Sequence, residues 1–233
     1  MAKCTGYDAD EILARALDAA LKVKRGEAIY ERDSVVFNHI EYAWPLLSCL
    51  MWVAARNHGK LSVLDFGGAL GSSYFQNRKF LEMLVEVRWS VVEQPNYVAA
   101  GVASIQDAKL RFYRSVKECL SETPPDVVLM SSVLQYLPDP YAALTEILDA
   151  RVQTLILDRA SYTNYGEKER ITIQHVPASI YQASYPCWIL AEDAVVALIT
   201  RRGYRLVEVF DALDKFDSAA TWKGHIFEKL PCV

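Results

Sequence analysis

A chain of 233 residues with 52% hydrophobic and 23% charged residues has an ordinary globular balance, enough for one large domain or a domain with an appendage. The formal net charge of −4, with no basic stripe, speaks against a nucleic-acid partner. Five scattered cysteines (Cys4, Cys49, Cys119, Cys187, Cys232), odd in number and never C-x-x-C, together with four dispersed histidines, predict reduced thiols and no metal site.

The opening "MAKCTGYDADEI" has no apolar signal core and reads as a cytoplasmic start. In "DADEILARALDAALKVKRG", Ile12, Leu13, Ala16, Leu17, Ala20 and Leu21 share one helical face, with Asp8 as N-cap and Gly26 as stop. A second helix is expected from about Ser34 to Ala55, along the stripe Phe37, Ile40, Trp44, Leu47, Met51 and Ala54, with Pro45 kinking or splitting it. The uncharged run Tyr42 to Ala55 is too short to span a bilayer and reads as a buried helix, so no membrane span is expected. Residues 1–59 are therefore expected to form an N-terminal helical cap, and residues 60–233 the main domain.

From Leu61 the texture alternates: "LSVLDF", "RWSVVE", "LRFYR", "PDVVLMSS" and "VQTLILDRA" are strand-like, and each is separated from the next by a helical segment. This alternation predicts an α/β fold with a doubly wound parallel sheet and right-handed crossovers. The stretch Asp158 to Ile189 breaks the rhythm as a long loop rich in tyrosine and serine, a length more often functional than idle. A helix, "AEDAVVALITRRG", and a strand, "YRLVEVF", follow. The last strand, "WKGHIFEKL", has no helix before it and is expected to run antiparallel to its predecessor.

The stretch with the most chemistry is "VLDFGGALGSSYF". A strand runs into three glycines and then into a helix, the placement that lets a ligand approach the backbone at the carboxyl end of an open α/β sheet. Asp65 precedes the glycines, and Glu93 ends the next strand, where a carboxylate accepts from both hydroxyls of a ribose. A nicotinamide fingerprint wants G-x-G-x-x-G, and Gly67, Gly68 and Gly71 do not have that spacing. An acid beside a pyrophosphate is also repulsive, whereas a cationic amino-acid cofactor tolerates it.

On these residues the sequence resembles the class I S-adenosylmethionine-dependent methyltransferases. "VLDFGGALG" is similar to their first motif, "VVEQP" to the second-strand acid, and "DVVLMSSVLQYLPDPYAALTEI" to their fourth-strand signature, over roughly Leu61 to the C-terminus. "ERDSVVF", "LDFGGALGSSYF" and "IYQASYPCWI" together resemble a bacterial methyltransferase family associated with surface-polysaccharide gene clusters. The resemblance implies a seven-stranded, mostly parallel, Rossmann-like sheet with an antiparallel C-terminal strand. It also implies S-adenosyl-L-methionine as cofactor and a small-molecule or saccharide-related acceptor. Three departures stand out: Ala69 where the motif has glycine, Gln135 and Tyr136 where many members carry a catalytic acid or histidine, and Arg114 and Ser115 where an acid often meets the adenine.

By the same resemblance Gly67, Gly68 and Gly71 line the methionine portion of the cofactor, and Asp65 anchors its ammonium. Glu93 takes the ribose hydroxyls, Gln94 and Ser115 flank the adenine, and Ser131 meets the methionine end. For Ser115 the alternative is a helix N-cap. His175 and Asp158 are the candidate bases, and a lone histidine in such a loop is otherwise structural. Tyr181, Ser184, Tyr185 and Trp188 are candidates for an aromatic acceptor pocket, or else aromatics that pack the loop onto the sheet. The N-terminal segment is a candidate lid acting through Phe37 or His39, or equally a dimer surface or a core extension. The rival functions are a non-catalytic scaffold that keeps the fold and a nicotinamide-linked oxidoreductase.

Overall fold

The computed structural model describes residues 10–164, 166–175, 183–213 and 220–231. The expected N-cap Asp8 and the pocket candidate Tyr181 lie outside them.

Helix α1 (Asp10–Lys24) ends as expected, with Gly26 at φ +77° and its N–H bonded to the Val23 carbonyl. The second N-terminal helix is shorter than the periodicity predicted. Val35 and Val36 belong to a β-hairpin, β1 (Tyr30–Arg32) with β2 (Val35–Phe37), whose turn residues Asp33 and Ser34 have φ of 52° and 68°. Two consecutive positive φ values suit a two-residue hairpin turn, and β-branched residues favour the strand. Helix α2 (Trp44–Arg56) then carries Pro45 in its first turn rather than being broken by it, since a first-turn proline lacks only an N–H that the helix would leave unpaired.

The alternating region follows as β3 (Lys60–Phe66), α3 (Ser72–Leu81), β4 (Glu86–Val92), α4 (Pro95–Ser104), β5 (Leu110–Tyr113), α5 (Val116–Glu122), β6 (Val127–Ser131), α6 (Pro140–Asp149) and β7 (Thr154–Tyr162). The expected long loop is partly ordered into strands. β7 runs on past Asp158 to Tyr162, and β8 (Arg170–His175) pairs antiparallel with β9 (Ser184–Ile189). The period-2 alternation of "RITIQH" carries that strand, with Ile171 and Ile173 on its exposed face. Helix α7 (Glu192–Arg201), β10 (Tyr204–Asp211) and β11 (Thr221–Lys229) complete the chain.

The seven-stranded sheet has the order β10-β11-β7-β6-β3-β4-β5. It is parallel from β7 through β5, and β11 runs antiparallel to both of its neighbours. The antiparallel strand is thus not an added edge. β11 is wedged between β7 and β10, and its run Gly224–Glu228 is buried.

Successive strand residues face opposite layers, as in a sheet covered on both sides. Val63, Val127 and Leu129 pack with α1, α2, α3 and α4, whereas Leu64, Val128 and Met130 pack with α5, α6 and α7. The N-terminal segment shares the first of these cores through Ala16, Ala20, Val23, Leu46 and Leu50. Among the described residues no helix is long and apolar enough to cross a membrane.

Candidate functional site

The strand order reverses between β3 and β6, and there the chain leaves the carboxyl ends of the strands without closing them over. A cavity of about 310 Å³ opens at this point. It is lined by the glycine loop with Glu93 and Gln94, by Ser131 and Asp158, and by the β1–β2 hairpin.

The glycines are there for space as much as for turn geometry. Gly67 has φ +72°, donates to the Val92 carbonyl at 2.9 Å, and leaves no room for a side chain: a Cβ would lie 2.3 Å from Val133 Cγ2. A Cβ on Gly68 would lie 2.4 Å from Asp65 Cγ. Ala69, standing where the methyltransferase motif has glycine, adopts φ +49°. That is a left-handed conformation which costs a non-glycine residue on the order of 1 kcal/mol. Gly71 is the N-cap of α3 at φ +92°.

Asp65 does not line the cavity. It is 1% exposed and lies behind Gly68, where Oδ2 accepts from the Trp89 indole N–H at 2.9 Å and Oδ1 has no hydrogen-bond partner among the described residues. Burial, followed by the nearby Glu93 and Asp158 charges, pushes its pKa up to about 7 despite the Trp89 bond. Glu93 does line the cavity, at the end of β4. Its carboxylate accepts the Gln94 N–H at 2.5 Å and also the Ala69 N–H, which ties the loop to the second strand. Burial raises its pKa, and these two bonds oppose the rise.

Ser131 ends β6 opposite Asp158 on β7, and its Oγ donates to Asp158 Oδ2 at 2.7 Å. Both line the cavity, and Asp158 is 2% exposed. The backbone beside them is held in unfavourable territory, with Ser132 at φ 54° and Arg159 at φ 55°. Such residues gather at functional sites, where surrounding contacts override the local preference. Here the Ser132 N–H donates to the Asp158 carbonyl at 2.9 Å, and Gln135 Nε2 donates to the Arg159 carbonyl at 3.0 Å.

Several expected residues lie elsewhere. Ser115 is the N-cap of α5, accepting the Glu118 N–H at 3.2 Å, and is not part of the cavity wall. His175 ends β8 exposed, opposite Ser184, and does not reach the cavity. Ser184, Tyr185 and Trp188 do not line it either, because β9 spends its inward side chains on packing. The Tyr185 ring sits edge-on to Tyr136 at 5.3 Å, and the Trp188 carbonyl accepts from Ser161 Oγ at 2.5 Å. Phe37 stacks on Tyr30 at 5.8 Å, and His39 is exposed, so neither touches the cavity.

The hairpin contributes through the residues just before them: Tyr30, Glu31, Arg32, Asp33 and Ser34. Glu31 opens the stretch "ERDSVVF", yet the sequence gives it no role of its own, because a single acid before a turn carries no periodicity. In the fold it is 3% exposed, and Ser72 Oγ donates to its Oε1. Burial and the neighbouring Asp33 charge push its pKa up to about 7, against the bonds from Ser72 and the Ser34 N–H. Asp33 pairs with Arg159 at 3.0 Å, joining the hairpin to the end of β7. Four carboxylates (Glu31, Asp33, Glu93, Asp158) and two guanidiniums (Arg32, Arg159) therefore face one space, a balance suited to a cationic ligand.

No family model matches the chain, and no curated protein does. Solved structures do. Magnesium protoporphyrin IX methyltransferase of Synechocystis PCC 6803, with bound S-adenosylmethionine, aligns over 97% of this chain and 100% of its own at 14% identity and TM-score 0.53. The N-terminal domain of EvdMO1, crystallised in the presence of S-adenosylhomocysteine and D-fucose, aligns over 96% and 97% at 16% identity and TM-score 0.53. The glycopeptide N-methyltransferase MtfA, complexed with sinefungin, covers 79% of this chain and 94% of its own at 14% identity and TM-score 0.51. The chain has the class I methyltransferase fold.

Proposed function

We propose that this protein transfers the methyl group of S-adenosyl-L-methionine to a small-molecule or saccharide-related acceptor. The observation that carries the reading is Glu93 bonded to the glycine loop in the lining of one cavity at the sheet's switch point. Gly67 and Gly68 have no space for side chains, so the loop backbone borders the cavity directly, as an extended ligand requires. In this reading Glu93 receives the ribose hydroxyls, Gln94 flanks the adenine and Ser131 meets the methionine end, and all three line the cavity. The cofactor supplies a methyl carbon already activated by a sulfonium.

The chain's own task is then positioning, since an in-line displacement needs the nucleophile held about 3 to 3.5 Å from the methyl carbon. A hydroxyl or ammonium acceptor must also lose a proton, and Asp158 is the candidate acceptor of it because it lines the cavity and His175 does not. The cytoplasmic setting belongs to the same proposal, supported by the free, buried thiols of Cys49, Cys119 and Cys187. The link to surface-polysaccharide chemistry rests on the sequence resemblance of "ERDSVVF" and "IYQASYPCWI".

Calorimetric titration with S-adenosylhomocysteine, wild type against Glu93→Ala, tests the cofactor site. Micromolar binding, weakened about tenfold or more in the variant, is the expected result. No binding by the folded wild type would overturn it. Transfer of a labelled methyl group to a small-molecule fraction then separates an enzyme from a scaffold that only binds.

A further inference from the structure

We infer that Glu31, on the β1–β2 hairpin, is the acid that receives the α-ammonium of the cofactor's amino-acid portion. This inference rests on the S-adenosylmethionine reading of the cavity. Asp65, the acid expected for that role, is placed wrongly for it, because Gly68 lies between its carboxyl group and the cavity. Glu31 has the opposite arrangement: it is 3% exposed, yet it lines the cavity wall.

The charge on Glu31 is also uncompensated. Its hydrogen-bond donors are neutral, the Ser72 hydroxyl and the Ser34 N–H. Among the described residues it makes no ion pair, and its charged neighbour Asp33 is of the same sign and engaged with Arg159. A carboxylate removed from water without a cation is costly, and a ligand cation at this point removes the cost.

The place is right for the amino-acid end. Ser72 is the first residue of α3, directly after Gly71, so Glu31 stands where the glycine loop enters its helix. Glu93 meets the middle of the same loop, through the Ala69 N–H, three residues before Ser72. A ligand whose ribose is held at Glu93 and whose amino-acid end reaches the start of α3 in the same cavity meets Glu31. The remaining cavity acid, Asp158, already accepts from Ser131 Oγ. An N-terminal hairpin thereby becomes part of the cofactor site rather than a lid over it.

The test is a calorimetric cycle with three probes: S-adenosylhomocysteine, its deaminated analogue, and 5′-methylthioadenosine, which lacks the amino-acid portion. Glu31→Gln keeps the size and the contact with Ser72. The variant is expected to bind S-adenosylhomocysteine at least about tenfold more weakly and 5′-methylthioadenosine within about twofold of wild type. Wild type should lose a similar factor for the deaminated analogue, and that loss should vanish in the variant, because the two changes remove one interaction. If Glu31→Gln binds S-adenosylhomocysteine as wild type does, the assignment fails while the cofactor site stands. Equal weakening of all three probes also overturns it, since Glu31 then supports the cavity as a whole. Should the variant fail to fold, the wild-type ratio between S-adenosylhomocysteine and its deaminated analogue still decides: a ratio near one removes any ammonium subsite. Wild type that binds none of the probes would bring down the cofactor reading itself.

Discussion

Gly68 lies directly against the carboxyl group of Asp65: a methyl group added to Gly68 would sit 2.4 Å from Asp65 Cγ and 2.5 Å from Oδ2. The glycine loop therefore rests on a buried acid, and the shape of the cavity wall depends on that contact.

Gly68→Ala should for this reason displace the loop. The Asp65 carboxyl is fully buried and bonded to Trp89, so it cannot swing aside as a flexible surface side chain would. We expect a loss of about 1 to 3 kcal/mol in urea-unfolding free energy. S-Adenosylhomocysteine affinity should fall at least about tenfold in parallel. Unchanged affinity would show that the loop backbone does not border the ligand.

Trp89→Phe removes the hydrogen bond from the indole N–H to the Asp65 carboxyl, whose other oxygen has no partner among the described residues. An unsatisfied buried acceptor costs about 1 to 3 kcal/mol, and the smaller ring adds a cavity. Denaturant unfolding should report a loss of that order. The Asp65 pKa should rise further, visible by carboxyl carbon NMR, because the Trp89 bond is the contribution that lowers it.

The Glu31 carboxyl is raised from its ordinary 4.5 to about 7. A carboxyl raised in the folded state binds more protons there than in the unfolded chain. Its contribution is therefore fully present below about pH 4.5 and is lost as pH rises to about 7. The ligand-free wild type should accordingly lose more stability between pH 5 and pH 8 than Glu31→Gln does, by about 1 to 3 kcal/mol. Parallel pH profiles for the two proteins would contradict this. Asp33, Ser72 and the Ser34 N–H face the same carboxyl, and all three are retained in the variant.

His175→Ala should leave the molecule unchanged in both respects. The side chain is exposed at the end of β8 and remote from the cavity lining. Unfolding free energy within about 0.5 kcal/mol of wild type is expected. S-Adenosylhomocysteine affinity should also match within about twofold. A large drop in affinity would restore His175 to the site.

Local pattern made the βα alternation readable, because buried parallel strands are near-continuous apolar runs and their helices have a 3.6-residue stripe. It failed where two periods compete over a few residues. Val35 to Phe37 fits a helix stripe that continues into α2, and only the tight Asp33–Ser34 turn, with its pairing of Tyr30 to Phe37, makes it a strand. "RITIQH" lies in the stretch expected as a long loop: its period-2 alternation is a local strand signal, but its partner strand begins only at Ser184.

The sequence by itself determined the fold class and the loop: apolar runs end at Asp65 and Glu93, and a cluster of glycines stands between a strand and a helix. Those are properties of neighbouring residues along one chain, so they are written locally. Which acid faces the cavity was decided only by the tertiary structure. Asp65 and Glu31 differ in access because Gly68 covers one while a hairpin more than thirty residues upstream turns the other inward against Ser72. Access is set by what packs on a side chain, and contacts made across the chain leave no pattern in the residues on either side of it.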